Sequence, residues 1–304
     1  MRFFIKPKKP FNFDLVGNLY SRFPVQCVDH YDKGIYQRAL KIKNKIYLVK
    51  VKSIGSIEGP KLSVEILPNI VDKNIIEEKI KWMLGIEDDI QGFYEIAKKD
   101  KKFAQIIKKL YGLRAPKTPT VFEAIIIAIT EQQIALPVAI SMRKRLVEKY
   151  GGVLKIGNKK YYTFPCAKSL AKIKPEKIKE LKLSLRKSNY IINVAKAVVS
   201  GTIDLEKMKK WDKQKILDVL TKIKGVGPWT VEYMMCRGMG RYDALPAGDL
   251  ALRTALTKYL DEEQRISEKR TREFLESFCE YKGYAAFYLI YNYAFQKYPQ
   301  ERLL

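Results

Sequence analysis

Residues 217–253 read LDVLTKIKGVGPWTVEYMMCRGMGRYDALPAGDLALR, and this stretch decides the fold. Leu217, Val219, Leu220 and Ile223 carry an apolar helical face into a short hairpin, Lys224-Gly225-Val226-Gly227-Pro228. A second helix follows, with Trp229, Val231, Tyr233, Met234 and Met235 on its apolar face. Leu245-Pro246-Ala247-Gly248 then turns the chain and delivers Asp249 to the start of another helix.

The hairpin has a physical reading. Gly225 and Gly227 permit φ > 0 and close backbone approach, and the first turn of the next helix aims free N–H groups over the turn. With Lys222 and Lys224 beside it, a phosphate is the expected occupant. A bare Gly-x-Gly also fits an ordinary tight helix–helix turn. The longer pattern, from Leu220 and Ile223 through Gly225-Val226-Gly227 to Thr230, is specific to nucleic-acid binders. Asp249 is by position a helix cap. Its Pro/Gly lead-in also fixes it near the hairpin's second helix, where a lone carboxylate suits a reaction that builds positive charge on a sugar.

The rest of the chain supports that site. Its 304 residues allow two or three domains and an ample core. Lys and Arg number 58 against 33 Asp and Glu, a net charge of +25, which suits a polyanion. A heat-adapted surface is the competing explanation, but such surfaces raise Glu together with Lys, and here the cations are unbalanced. Cys27, Cys166, Cys236 and Cys279 are scattered and His30 stands alone, which excludes zinc-finger and clustered iron–sulfur ligand sets and suits a reduced setting. No apolar run approaches a membrane span, and the N-terminus lacks a signal-peptide core. The chain is therefore expected inside the cell, in the cytoplasm or nucleoid of a prokaryote, as a monomer without membrane contact.

Residues 36–40, 45–52 and 62–67 read as strands, with a short helix over 13–23 before them. From residue 72 the signal is almost wholly helical. Helices are predicted over 74–84, 90–98, 103–110, 168–171, 175–181, 186–199, 205–209, 213–223, 250–259, 269–278 and 284–297. Thr118 and Pro119 are placed as cap and first residue of a central helix that is apolar nearly all round between 122 and 130. After Glu131-Gln132-Gln133 a further helix runs to Tyr150, where Gly151-Gly152 stops it. The predicted class is α+β: an N-terminal antiparallel β-sheet domain over 1–71, then two helical subdomains. One is built from 72–117 with 245–304, the other from 118–244, and the cleft lies between them.

Gly225-Val226-Gly227-Pro228-Trp229-Thr230, followed by Leu245-Pro246 and Asp249, resembles the signature of the helix-hairpin-helix (HhH-GPD) DNA glycosylase superfamily. The similarity is greater to its AlkA-type 3-methyladenine branch, through Gly112-Leu113-Arg114, Phe122-Glu123-Ala124, Ala128-Ile129-Thr130-Glu131-Gln132-Gln133, Tyr162 with Phe164-Pro165, and Tyr284-Ala285. That resemblance implies double-stranded DNA with damaged bases as partner. The hairpin backbone would hold a DNA phosphate, with no organic cofactor and a monovalent Na⁺ or K⁺ on the carbonyls near Thr221, Ile223 and Gly225.

Asp249 would drive release of the base from a flipped nucleotide, and Gln133, with Gln132 adjacent, would fill the gap in the duplex, where relatives often carry leucine. Bifunctional relatives carry a Schiff-base lysine two residues after the second hairpin glycine; this chain has Trp229 there. An aromatic at that place suits stacking on an electron-poor alkylated base, with Tyr233 one turn on. Tyr288 and Tyr291 on the last helix fit either pocket or core. Basic residues around 186–188 and 237–241 are expected near the DNA backbone. The implied activity is hydrolytic excision of alkylated purines. The rival readings are an 8-oxoguanine-type glycosylase/lyase and a non-catalytic DNA-binding module.

Overall fold

A computed structural model describes residues 1–21, 28–69 and 72–297. The N-terminal part is a five-stranded antiparallel sheet in the order β1-β5-β4-β3-β2. Its strands are β1 (Arg2–Ile5), β2 (Asp29–Asp32), β3 (Ile35–Ile42), β4 (Lys45–Ser53) and β5 (Leu62–Leu67), with α1 (Phe13–Ser21) between the first two. The three central strands and the helix match the sequence reading. The helix was expected to run on to Phe23, which lies outside the described residues. The edge strands β1 and β2 were not expected: β1 pairs with β5, Phe3 opposite Val64, across some sixty residues of chain. On β5, Leu62, Val64 and Ile66 alternate inward with Ser63, Glu65 and Leu67, the period that fixes a strand's register when one face is covered.

Helices α2 (Lys73–Met83), α3 (Ile90–Ala97), α4 (Lys101–Lys109), α5 (Val121–Glu131) and α6 (Leu136–Tyr150) follow. A two-stranded hairpin then interrupts the helical run, β6 (Val153–Ile156) with β7 (Lys159–Tyr162). This short hairpin was not among the predicted elements of the almost wholly helical stretch beyond residue 72. Next come α7 (Ala167–Leu170), α8 (Pro175–Lys179), α9 (Leu185–Val199), α10 (Lys213–Leu220) and α11 (Pro228–Met239). The chain closes with α12 (Leu250–Tyr259), α13 (Glu268–Leu275) and α14 (Lys282–Lys297).

Two cores organise these elements. One joins the inner face of the sheet to α2–α4, α12 and α14, with Val64, Phe93, Phe103, Leu252 and Tyr288 inside it. Sheet and flanking helices thus share one core. The other is built from α5, α9, α10 and α11, around Ile125, Ile129, Ile191, Leu220 and Val231. Helix α5 is buried along almost its whole length, as its all-round apolar sequence requires. Its cap is Thr120, whose side chain accepts from Glu123 N–H; Thr118 instead donates to the carbonyls of Thr120 and Arg237. α11 lies close enough on α5 that a Cβ at Gly238 would come within 2.8 Å of Ala124 Cβ and 3.1 Å of Val121 Cα.

One ionic cluster links the two cores. Arg38 on β3 is 3% exposed and donates to both oxygens of Glu123 on α5, at 2.6 and 2.7 Å, and to Asp29 on β2 at 2.8 and 2.7 Å. Tyr36 donates its hydroxyl to the same Asp29. Cys166, Cys236 and Cys279 are free thiols; Cys27 is outside the described residues. Among the described residues no helix is long and apolar enough to cross a membrane.

Candidate active site

The hairpin between α10 and α11 is held from three directions. Val226 is buried in the core below, and its N–H donates to Ile223 O at 2.9 Å. Gly225 has φ +98°, and Tyr190 of α9 packs so tightly against it that a Cβ there would sit 2.0 Å from the ring. From the third side, Gln132, at the C-terminal end of α5, donates Nε2 to Gly225 O and to Thr230 Oγ1, both at 2.9 Å. Gly227 caps α11, and the space a Cβ would occupy there is open. The first-turn N–H groups of a twelve-residue helix therefore face outward past Gly227, with exposed Lys222 and Lys224 on the approach.

The two glycines should respond differently to substitution. Gly225→Ala meets both the left-handed backbone and the Tyr190 ring, a strain of roughly 1–3 kcal/mol before the clash is counted. It is expected to lower both melting temperature and duplex affinity. Gly227→Ala has room and an ordinary φ, so it should leave the melting temperature in place and weaken duplex binding alone. Fluorescence anisotropy with a labelled duplex, set beside a thermal melt, separates the two.

Asp249 caps α12. Its Oδ1 accepts from Ala251 N–H at 2.8 Å and Leu252 N–H at 3.0 Å, and its Oδ2 accepts from Trp229 Nε1 at 3.2 Å. The hairpin's tryptophan and the aspartate are thus hydrogen-bonded to each other. The carboxyl is half-buried, and burial pushes its pKa above the usual aspartate value, against the lowering effect of these three N–H donors; the charge of Glu131 pushes it further up. Tyr233 continues the aromatic wall, its ring centroid 5.5 Å from that of Trp229 and its hydroxyl beside the Glu131 carboxylate. Burial raises the Tyr233 hydroxyl's pKa well above the ordinary tyrosine value, so it remains a donor at neutral pH.

The loop that carries Asp249 is tied to α11 by Arg272 of α13. Arg272 donates to both oxygens of the buried Glu232, at 2.8 and 3.0 Å, and to the carbonyl of Leu245 at 3.2 Å. Glu232 lies between Trp229 and Tyr233 in sequence. Arg272 had no role in the sequence reading, since nothing local marks a pairing across forty residues.

Several expected contacts are placed elsewhere. Tyr288 and Tyr291 are buried in the sheet-side core, with hydroxyls on the carbonyls of Leu113 at 2.8 Å and Leu15 at 2.9 Å, so they present no surface to a nucleotide. Thr230 is 2% exposed and its hydroxyl is taken by Gln132, which makes it a brace for the hairpin and not a DNA contact. Arg241 is paired with Asp243 and bonded to Trp211 O, and Ser188 is buried, which removes both from the basic approach.

Gln133 is exposed at the loop tip in a left-handed conformation, φ +52°, and accepts from Arg186 Nη2 at 3.1 Å. Leu136 and Val138 beside it are exposed apolar side chains. Of the three carbonyls expected to face a cation, Ile223 O accepts from Val226 N–H and Gly225 O from Gln132. Each keeps a second lone pair, so the oxygen set fits a hard monovalent ion.

Comparison with known proteins agrees with this geometry. Residues 126–281 match the HhH-GPD superfamily of base excision DNA repair proteins. A DNA-3-methyladenine glycosylase of Bacillus subtilis (strain 168) is 30% identical over 284 residues, spanning 91% of this chain and 93% of that one. DNA-3-methyladenine glycosylase 2 of Escherichia coli (strain K12) is 24% identical over 61% of this chain and 62% of its own length. Among solved structures, a 3-methyladenine DNA-glycosylase from Archaeoglobus fulgidus superposes with a TM-score of 0.83 at 24% identity, covering 98% of this chain and 99% of that one. An 8-oxoguanine glycosylase/lyase of Clostridium acetobutylicum superposes with a TM-score of 0.75 at 21% identity, over 95% of each chain. The structural likeness is one of fold.

Proposed function

The chain belongs to the HhH-GPD superfamily of base excision DNA repair proteins, and from that membership we propose that it is a monofunctional DNA glycosylase for alkylated purines. It hydrolyses the N-glycosidic bond and leaves an abasic site. The observation that carries this reading is the Trp229–Asp249 hydrogen bond at 3.2 Å, which sets an indole, at the position where the resemblance implies a lyase's lysine, directly against the one carboxylate.

The hairpin backbone and the first turn of α11 hold a phosphate of the duplex. Gln133 enters the stack as the target nucleotide leaves it; its left-handed backbone and the Arg186 contact hold it ready at the loop tip. The extruded base stacks on Trp229 and Tyr233, and a cationic base is attracted by their ring faces. Asp249 stabilises the positive charge that grows on the sugar as the bond to the base breaks, and orients the water that completes hydrolysis. A base already carrying positive charge departs without a strong general acid, and no acid need be assigned. A monovalent ion on the carbonyls of Thr221, Ile223 and Gly225 would add positive field under the phosphate. The protein acts as a monomer on double-stranded DNA inside a prokaryotic cell.

The test is direct: duplex DNA carrying both methylated purines and 8-oxoguanine is incubated with the protein and the bases released are identified by mass spectrometry. Release of 3-methyladenine or 7-methylguanine supports the reading; release of 8-oxoguanine alone contradicts it. A pH dependence follows as well. Asp249 must be ionised to act and its pKa is raised by burial, so activity should fall as pH drops through a value above the ordinary aspartate range. A pH profile of single-turnover release should show that acid limb in the parent.

A further inference from the structure

Glu131 is the last residue of α5, whose other acid, Glu123, sits in the favourable first turn, and the C-terminal end is an unfavourable place for an acid. The helix dipole puts partial negative charge at that end, and carboxylates there are destabilising. The neighbouring Gln132 is bonded to Gly225 O and Thr230 Oγ1, which brings the end of α5 onto the first turn of α11. The Glu131 side chain is 15% exposed, with Oε1 held by Arg143 Nη1 at 2.6 Å, and the Tyr233 hydroxyl lies beside it. Its charge acts on Asp249. Trp229, Tyr233, Glu131 and Asp249 thus form one wall, aromatic in the middle and carboxylate at both ends. Asp249 has a task on the sugar. Glu131 has none that the reaction requires.

We propose that Glu131 is the specificity-determining residue of this cleft, its carboxylate facing the extruded base and selecting positively charged purines over neutral ones. This rests on the reading that the cleft releases alkylated purines. A half-buried carboxylate accepts hydrogen bonds and donates none, so it favours a base that carries positive charge or offers an amino group. It disfavours one that turns a carbonyl oxygen towards it, because like partial charges in a water-poor site are costly. Arg143 fixes the direction of the Glu131 carboxylate through its 2.6 Å contact, and the Tyr233 hydroxyl lies beside that carboxylate. Two further cations act on this carboxylate: Arg237 of α11, and Lys187 of α9, whose Nζ donates to Thr130 O at 2.8 Å beside Glu131.

The experiment uses the full chain and the variants Glu131→Gln and Glu131→Asp. Single-turnover release is measured from two duplexes, one carrying 7-methylguanine as a cationic nucleotide and one carrying neutral hypoxanthine. Glu131→Gln is expected to lower the rate on 7-methylguanine about tenfold and to change the rate on hypoxanthine less than twofold, with Glu131→Asp recovering part of the preference. Equal losses on both bases, or no loss on either, would overturn the proposal while leaving the glycosylase reading intact. A second measurement does not depend on turnover: quenching of tryptophan fluorescence by the 1-methyladenosine cation against inosine. If the parent releases neither base, nor 3-methyladenine from methylated DNA, the glycosylase reading fails, and quenching still decides the role of Glu131. Stronger quenching by the cation that is lost in Glu131→Gln upholds an anionic base-binding wall; no difference removes it.

Discussion

Replacing Asp249 with Asn should lower release of an alkylated base by on the order of 10²–10³-fold while leaving duplex binding unchanged, the loss typical of removing one preorganised electrostatic group. The substitution keeps the shape and the cap: an Asn oxygen can still accept from Ala251 and Leu252, and Asn ranks with Asp as an N-cap. What disappears is the negative charge beside the sugar and, because the amide nitrogen that replaces Oδ2 only donates, the acceptor for Trp229 Nε1. Stability should not fall. The folded-state pKa of Asp249 is raised, so ionised Asp249 is a burden to the fold that is fully present above the folded pKa and relieved as pH drops below the unfolded one. At neutral pH the neutral Asn should therefore melt at the same temperature as the parent or higher. A variant that keeps its melting temperature and duplex affinity but loses base release identifies Asp249 as chemical and not architectural. A variant that loses all three in parallel contradicts that assignment.

The largest effect on stability is expected at Arg38. Its guanidinium is buried between Asp29 and Glu123, with four charge-assisted hydrogen bonds at 2.6–2.8 Å. Arg38→Met leaves two enclosed carboxylates without their partner, and breaking a buried pair from one side costs about 3–5 kcal/mol. Changing all three residues to apolar ones of similar volume should recover most of that loss, because the charges are then no longer stranded. Urea denaturation of the single and triple variants measures both. A loss below about 1 kcal/mol in Arg38→Met would show that solvent reaches the cluster and screens it. Because the cluster spans from β3 to α5, unfolding of the sheet and of the hairpin-bearing core should remain one transition in the parent.

Much of the site was legible locally. The Gly-Val-Gly hairpin, the capping Asp249 and the limits of α12 follow from residues adjacent in the chain, where φ > 0, an N-cap and a 3.6-residue period each leave a mark. Trp229 and Asp249 meeting by a hydrogen bond was implied only as proximity. Other features depend on partners far away in sequence and left no local sign. Strand β1 is four residues long and defined by pairing with β5, and Arg272 matters because Glu232 is forty residues off. Tyr288 and Tyr291 carry polar tips at helical spacing, which a pocket and a core satisfied by main-chain carbonyls share. Thr118 and Thr120 are both sound caps by composition; which one acts was decided by where the carbonyl of Arg237 lies. Glu131 did leave a trace, an acid at the wrong end of an apolar helix. That trace becomes informative only once Tyr233 and Asp249 are seen beside it.

The central claim is that Trp229 and Asp249 make this a hydrolytic glycosylase without a covalent step. One measurement tests it most directly: a duplex with a single 7-methylguanine, end-labelled, is treated with the protein and resolved with and without alkali. The account predicts an intact strand that breaks at the lesion only after alkali, and no protein–DNA adduct on borohydride reduction. Strand cleavage without alkali, together with a borohydride-trapped adduct, would contradict it and place a lysine nucleophile in the cleft.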